Sequence, residues 1–261
     1  MKKHLFLIYF LFYSGFSLGS ENKLQITTGY EYRDFSENRG HSSIGHVEFK
    51  NKFDNGALVI DIAGGERDFG GGESHTGVKG KTDIYYDWTE SLSTRTSITL
   101  SNSNPAFVNE EYLQEFNIKV PKNIVILAGA KYDKYDDKTE LWAYSGGLTL
   151  YTKRLNYSYK YTHYDSSKPG NSYGNLFSIK LKDKNSSGST QLWLTQGKNA
   201  YSYDWLPNSS FKGNIKGVSL RRVQPITNST SIGVSAGRVW YKPPSGKFHS
   251  TEGKADLIYT W

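Results

Sequence analysis

Residues 155–161 read Leu155-Asn156-Tyr157-Ser158-Tyr159-Lys160-Tyr161. Large apolar or aromatic side chains alternate with small polar or charged ones without a break. Successive side chains of an extended chain point to opposite faces, so this stretch has one greasy face and one wet face. The same period continues outward along the chain. Leu24, Ile26, Thr28, Tyr30 and Tyr32 share one parity, and Gln25, Thr27, Gly29, Glu31 and Arg33 the other. Val47, Phe49 and Phe53 stand against His46, Glu48, Lys50 and Lys52; Leu58, Ile60 and Ile62 against Asp61, Gly65 and Arg67. Val78, Thr82, Ile84, Tyr86 and Trp88 oppose Lys79, Lys81, Asp83 and Asp87, while Phe177, Ile179 and Leu181 are read against Asn175, Ser178, Lys180 and Lys182. No window sustains a helical period.

A soluble sandwich also alternates, but it hides its apolar faces in a shared core. Here the polar face carries Lys, Arg, Glu and Asp at mid-strand. Tyr and Trp gather toward strand ends on the apolar face: Tyr30, Tyr32, Tyr86, Trp88, Tyr241 and Tyr259. That is the girdle pattern of a transmembrane barrel, whose strands need only one apolar face. The composition agrees. Of 261 residues, 36% are apolar and 15% aromatic, with 20 Tyr. Mean hydropathy is −0.61. Such a chain has no room for the repeated apolar runs, each about 20 residues long, of a helical membrane bundle. Zero Cys excludes a disulfide scaffold, a Cys-based zinc site and a thiol nucleophile.

The first residues read as an address. Lys2 and Lys3 precede the apolar run Leu5 to Tyr13, and Ser17-Leu18-Gly19 places small residues at a cleavage point. A secretory signal peptide over 1–19 is expected, leaving 20–261 as one barrel domain exported through the general secretion route. Proline, which lacks the amide donor, delimits the strands. Pro105, Pro121, Pro169, Pro207, Pro225, Pro243 and Pro244 all fall in the expected connections. Short connections (Asp54-Asn55-Gly56, Pro121-Lys122, Thr152-Lys153) alternate with longer ones (Phe69 to Thr76, Asp165 to Asn171, Ser202 to Phe211, Lys242 to His249).

The reading is an all-β, antiparallel, up-and-down transmembrane β-barrel of about 14 strands, since bacterial single-chain barrels have even counts. Twelve is the competing count, because Gln114 and Lys216 interrupt the apolar face of 110–120 and 212–223. Both termini are expected on the periplasmic side. The chain ends with Ala255, Leu257, Tyr259 and Trp261 on one face. Such an ending matches the signal read by the outer-membrane assembly machinery, making Trp261 the expected point of recognition.

Six stretches carry a family resemblance: Leu92 to Thr96, Lys131 to Asp137, Tyr159 to Ser167, Thr190 to Leu194, Ala200 to Trp205 and Ala236 to Tyr241. At these segments the chain resembles the YaiO family of outer-membrane β-barrel proteins. Family members often close on an aromatic such as Phe, here Trp261. The resemblance implies a barrel and an outer-membrane location. It brings no catalytic residues and no settled substrate.

The search for chemistry starts from five His in the mature chain. His41, His75 and His249 are assigned to outer loops, His163 to the lipid face near the outer rim, and His46 alone to the lumen. A Ser–His hydrolase needs its base within hydrogen-bond reach of a hydroxyl, and no such pairing is evident. Asp136-Asp137 lacks the spacing of a calcium loop. Gly70-Gly71-Gly72 is followed by no Lys-Ser/Thr and helix, so it is no phosphate cradle. No catalytic residue, metal or cofactor is therefore assigned.

The informative feature is lumen charge. The pore-lining candidates are Arg33, Lys50, Arg67, Lys79, Lys81, Arg95, Lys119, Lys131, Lys160, Lys180, Arg221 and Lys254, with Lys52 and Lys182 of the same parity. Against them stand Glu31, Glu48, Asp61, Asp83, Asp87, Glu115, Asp133, Glu252 and Asp256. A basic balance in a narrow pore focuses the field and favours anionic solutes; cross-strand ion pairs filling a closed lumen are the competing reading. Lumen Tyr85, Tyr164 and Trp193 offer surfaces for sugars. The expected function is a passive channel or export conduit for hydrophilic solutes, anionic or saccharide. The alternatives are a non-conducting barrel whose outer loops bind a partner or surface polysaccharide, and a barrel enzyme acting on lipid or peptide. Outer-membrane lipid and lipopolysaccharide are the expected surroundings, the chain is expected to be monomeric, and no nucleic-acid partner is expected.

Overall fold

The computed structural model describes residues 23–102, 106–121, 123–167, 172–184, 187–198, 213–243 and 246–261. Its strands are β1 (Leu24–Phe35), β2 (His41–Phe53), β3 (Gly56–Asp68), β4 (Ser74–Asp87), β5 (Leu92–Ser101), β6 (Glu110–Val120) and β7 (Ile124–Lys134). They continue as β8 (Glu140–Tyr151), β9 (Leu155–Ser166), β10 (Ser172–Lys182), β11 (Ser189–Lys198), β12 (Asn214–Pro225), β13 (Thr230–Lys242) and β14 (Phe248–Thr260). Each pairs antiparallel with its chain neighbours, and β1 closes the cylinder against β14. The seam runs from Gln25 opposite Thr260 to Phe35 opposite Ser250. It ends in a reciprocal bond: Leu24 N donates to Trp261 O at 3.2 Å and Trp261 N to Leu24 O at 3.0 Å. Closure satisfies every ladder without a free edge, which is what a sheet needs inside hydrocarbon.

Fourteen strands settle the count against twelve. Both interrupted segments pair fully, and their interruptions have local remedies. Gln114 Oε1 accepts from Thr96 Oγ1 at 2.7 Å, directly opposite on β5. Lys216 lies near the start of β12, close to the cylinder's end, beside Trp240 in register. The two ends differ. One rim carries Leu24 and Trp261, at the two ends of the described cylinder, and the turns 54–55, 88–91, 152–154 and 226–229; we call it the terminal rim. The other, the loop rim, carries the described turns 36–40, 69–73 and 135–139.

The outer wall is apolar and exposed: Val47, Phe49, Ile62, Val78, Ile98, Leu148, Leu220 and Leu257 all present their side chains to the surroundings. Aromatics band this wall. Near the loop rim Tyr112, Tyr132, Trp142 and Tyr144 form a chain of ring contacts with centroids 5.0–6.4 Å apart. Near the terminal rim Tyr86 meets Trp88 edge-on at 4.7 Å and Tyr259 meets Trp261 at 5.4 Å. These two belts match the wet–greasy boundaries of a bilayer.

Five details depart from the sequence reading. Tyr241, expected in the outer girdle, faces the interior, because its neighbour Trp240 takes the outward face of β13. Asn175 is two residues from Phe177, so it faces outward with it, and Tyr159 Oη donates to its Oδ1 at 2.7 Å. Pro225 is the last residue of β12 rather than part of a turn; at a strand terminus its missing donor costs little. His41, His75 and His249 lie in β2, β4 and β14 near the loop rim, because those strands extend past the girdle. For the same reason the loop expected from Phe69 to Thr76 is a tight 69–73 turn, in which Gly70, Gly71 and Gly72 take φ of 81°, 66° and 89°. The signal peptide over 1–19 and the loop Ser202 to Phe211 lie outside the described residues.

Candidate functional site: the charged interior

The polar parity of every strand converges on the interior. Four charged groups organise it. In the first, Arg95 Nε and Nη2 both donate to Asp83 Oδ1, at 3.0 and 2.9 Å. Arg95 Nη1 donates to Glu115 Oε2 at 3.4 Å, and Lys160 Nζ to Glu115 Oε1 at 2.5 Å. Lys81 lies 3.6 Å from Asp83. The Lys160–Glu115 pair joins β9 to β6 over two intervening strands. It can do so because Gly129 and Gly147 leave the wall bare beneath it: a Cβ on Gly129 would sit 2.8 Å from Glu115 Cγ. The Glu115 side chain is only 5% exposed and serves two cations.

In the second group Lys131 lies between Asp133 at 2.6 Å and Glu111 at 3.3 Å, and Thr99 Oγ1 donates to Glu111 at 3.2 Å. In the third, Asp256 is 1% exposed and faces Arg221 at 2.6 Å, His46 Nε2 at 3.5 Å and Lys254 at 3.6 Å. His46 on β2 reaches Asp256 on β14 across Gly29 of β1, the register partner of both. A Cβ at Gly29 would collide with each of them. In the fourth, Arg33 bridges Glu252 at 2.9 Å and Glu31 at 3.3 Å.

These pairs run laterally, around the cylinder. Desolvation offsets much of their attraction, so such pairs add little net stability while intact and cost heavily when one partner is lost. Their structural effect is to hold long side chains flat against the wall. One wall, at β9–β12, keeps open space: a cavity of about 310 Å³ lined by Lys160, Thr162, Tyr164, Gly174, Leu176, Thr195 and Ile215, among others. Trp193 points into the same interior, opposite Ser178 and Ser219 in register.

The two rims carry different chemistry. At the loop rim Arg67 is 5% exposed. Its guanidinium lies over the rings of Phe35 at 4.0 Å and Phe69 at 4.5 Å, and donates to the carbonyl oxygens of Arg39, His41 and Asp68. Beside it Tyr241 stacks on Phe248 at 4.7 Å, with Arg39 over the far ring at 4.2 Å. Phe35, Tyr241 and Phe248 are buried together. This cluster fills the interior at one side of the loop rim. Lys79 is likewise taken up, with Nζ 5.3 Å from the Phe107 ring.

Toward the terminal rim the cations are freer. Lys119 is 3.8 Å from Asp87, both half-exposed. Lys50 and Lys180 sit on β2 and β10, on opposite sides of the cylinder; Lys50 feels Lys52 and, more weakly, Lys180, with Glu48 partly offsetting them. Among the described residues no carboxylate lies within ion-pair distance of these three.

The twelve basic residues expected in the lumen therefore separate into three kinds. Arg33, Lys81, Arg95, Lys131, Lys160, Arg221 and Lys254 are bound to interior carboxylates, and Lys119 loosely so. Arg67 and Lys79 are packed on aromatic rings. Lys50 and Lys180 remain available. Sequence reading missed Glu111, although it shares the parity of Glu115; the interruption at Gln114 obscured the phase of β6. The interior wall therefore offers charged groups and hydroxyls.

Three solved structures resemble this barrel across most of its length. The CymD monoaromatic hydrocarbon channel matches with a TM-score of 0.60 at 7% identity, covering 94% of this chain and 89% of its own. A bacterial polysaccharide outer membrane secretin matches at 0.56 with 11% identity, over 92% of this chain and 98% of its own. An anion-selective porin from Comamonas acidovorans matches at 0.51 with 8% identity, over 92% of this chain and all of its own. At such identities the likeness concerns the fold: an outer-membrane β-barrel. The family model of the YaiO membrane beta barrel domain matches residues 23–204, most of the cylinder. On that match and this architecture, the chain belongs to the YaiO family of outer-membrane β-barrel proteins.

Proposed function

We propose that this barrel is a passive channel or export conduit for hydrophilic solutes, with anions and acidic saccharides favoured. The observation that carries the reading is the placement of Lys50 and Lys180 on strands from opposite sides of the cylinder, neither within ion-pair distance of a carboxylate among the described residues, with Glu48 only partly offsetting the charge at Lys50. A polar interior with unneutralised cations attracts anions, and its low-dielectric walls strengthen the field. The open wall at β9–β12 supports the saccharide part: Tyr164 supplies a ring face, Thr162 and Thr195 hydroxyls, and Lys160 a donor. The three structural relatives named above are fold analogues known as a hydrocarbon channel, a polysaccharide secretin and an anion-selective porin; they support a conduit and leave the solute to be measured. The termini face the periplasm in this reading, with Trp261 presented to the assembly machinery after export and the monomer as the working unit.

Liposome swelling tests it. Proteoliposomes should admit a sugar acid faster than a neutral sugar of equal size, and Lys50→Gln with Lys180→Gln should remove the difference. Equal rates for both solutes in the unaltered protein would contradict the anionic preference.

One observation favours a second reading. The filling of the loop rim by Phe35, Arg67, Phe69, Tyr241 and Phe248 suits a non-conducting barrel whose outer loops hold a partner or a surface polysaccharide. An impermeable barrel in the same swelling assay would favour it.

A further inference from the structure

The outer wall of β11–β13 breaks the barrel's own rule. Near the loop rim, where β6–β8 present aromatic rings, this wall presents cations. Lys198, Lys216, Arg238 and Lys242 all face outward and are exposed. Register places them together. Lys216 is opposite Gln196 on β11 and Trp240 on β13. Arg238 and Lys242 flank Trp240 on the same face, and the Arg238 guanidinium lies 5.9 Å from its ring.

Trp240 fixes their depth. An aromatic belt residue sits at headgroup level, and so does a cation in its register row. Among the described residues the cations are also unneutralised. No outward residue of β10–β13 is acidic, and none of the four is ion-paired among the described residues. The opposite wall behaves differently: there Lys134 is paired with Glu110 at 3.2 Å. Exposed Lys and Arg at a lipid boundary, left without carboxylates, need anions from the membrane itself.

We infer that the β11–β13 wall binds the phosphorylated headgroup of a glycolipid in the surrounding leaflet. The Lys and Arg groups hold the phosphates, with Arg238 able to engage one through two parallel bonds. Gln196 and Asn175, polar groups in the same register row, face the sugar hydroxyls. Trp240 packs on the sugar or the acyl boundary. The inference needs the loop rim at the outer leaflet, but it is independent of whether the interior conducts.

The test uses the full-length processed barrel in detergent, titrated with bisphosphorylated lipid A and, separately, with enzymatically dephosphorylated lipid A and with phosphatidylglycerol. Native mass spectrometry reads occupancy. The expected result is retention of the phosphorylated glycolipid over both other lipids, weakened as salt screens the charges. Lys216→Gln with Arg238→Gln should weaken it about 25-fold, two cations at about 5-fold each. Lys134→Gln on the opposite wall should leave it unchanged. Equal retention of dephosphorylated lipid A, equal retention of phosphatidylglycerol, or unchanged binding by the Lys216/Arg238 variant would each overturn the inference.

Discussion

Glu115→Ala is expected to lower the free energy of unfolding by about 3 kcal/mol, the lower end of the cost of stripping a buried ion pair of one partner. Glu115 is the acceptor for both Arg95 and Lys160, from one strand on one side and three strands on the other. Without it Lys160 has no ion partner among the described residues, and Arg95 keeps only Asp83. Both cations are about a quarter to a third exposed to interior water, so solvent recovers part of the loss. Urea unfolding in micelles, followed by Trp fluorescence, reads the difference. Glu110→Ala is the control: its pair with Lys134 is on the exposed rim, where solvent screening leaves such pairs with little effect on stability. If the two variants unfold alike, the lateral lattice is decorative. A second consequence concerns charge. Removing Glu115 frees Lys160 beside the open β9–β12 wall, while Arg95 keeps Asp83, so the anion preference of the pore should rise.

Arg67→Ala is expected to raise single-channel conductance and to cost about 3 kcal/mol of stability. The guanidinium donates to carbonyls of Arg39, His41 and Asp68, and bonds from a charged donor contribute about 1.5–3 kcal/mol each, less what water replaces. Two ring contacts add about 0.5–1 kcal/mol apiece. Their loss releases Phe35 and Phe69 and vacates the loop rim. Arg67→Lys should behave like the alanine variant, because an ammonium lacks the planar fork that serves several acceptors while lying flat on a ring. Unaltered conductance in Arg67→Ala would show that this cluster does not limit passage; wild-type stability in Arg67→Lys would show that charge alone holds it.

How much of this was legible in the sequence follows from the period of two. Parity assigns each residue to the wall or the interior, and a stretch such as 155–161 needs nothing more. It also separates Arg33, Lys160 and Asp256 from the lipid. Parity fails where the phase is lost: Gln114 hid Glu111, and Asn175 was counted on the wrong face although it lies two residues from Phe177. It says nothing about partners. Whether Glu115 meets Lys160 depends on the register of β6 to β9 and on bare glycines between them, which only closure of the sheet determines. The loop-rim cluster left a readable trace. Phe35 shares the parity of Arg33, and Phe248 that of Glu252; an aromatic on the polar parity at a strand's loop end marks a filled interior.

The account rests on a hydrated interior whose unpaired cations at Lys50 and Lys180 select what passes. The reversal potential of the purified barrel in a planar bilayer, under a potassium chloride gradient, tests it most directly. Stepwise conductance with a reversal potential displaced toward the chloride equilibrium value is the predicted result. A membrane that stays silent at every salt concentration, or a displacement toward the potassium value, would contradict it.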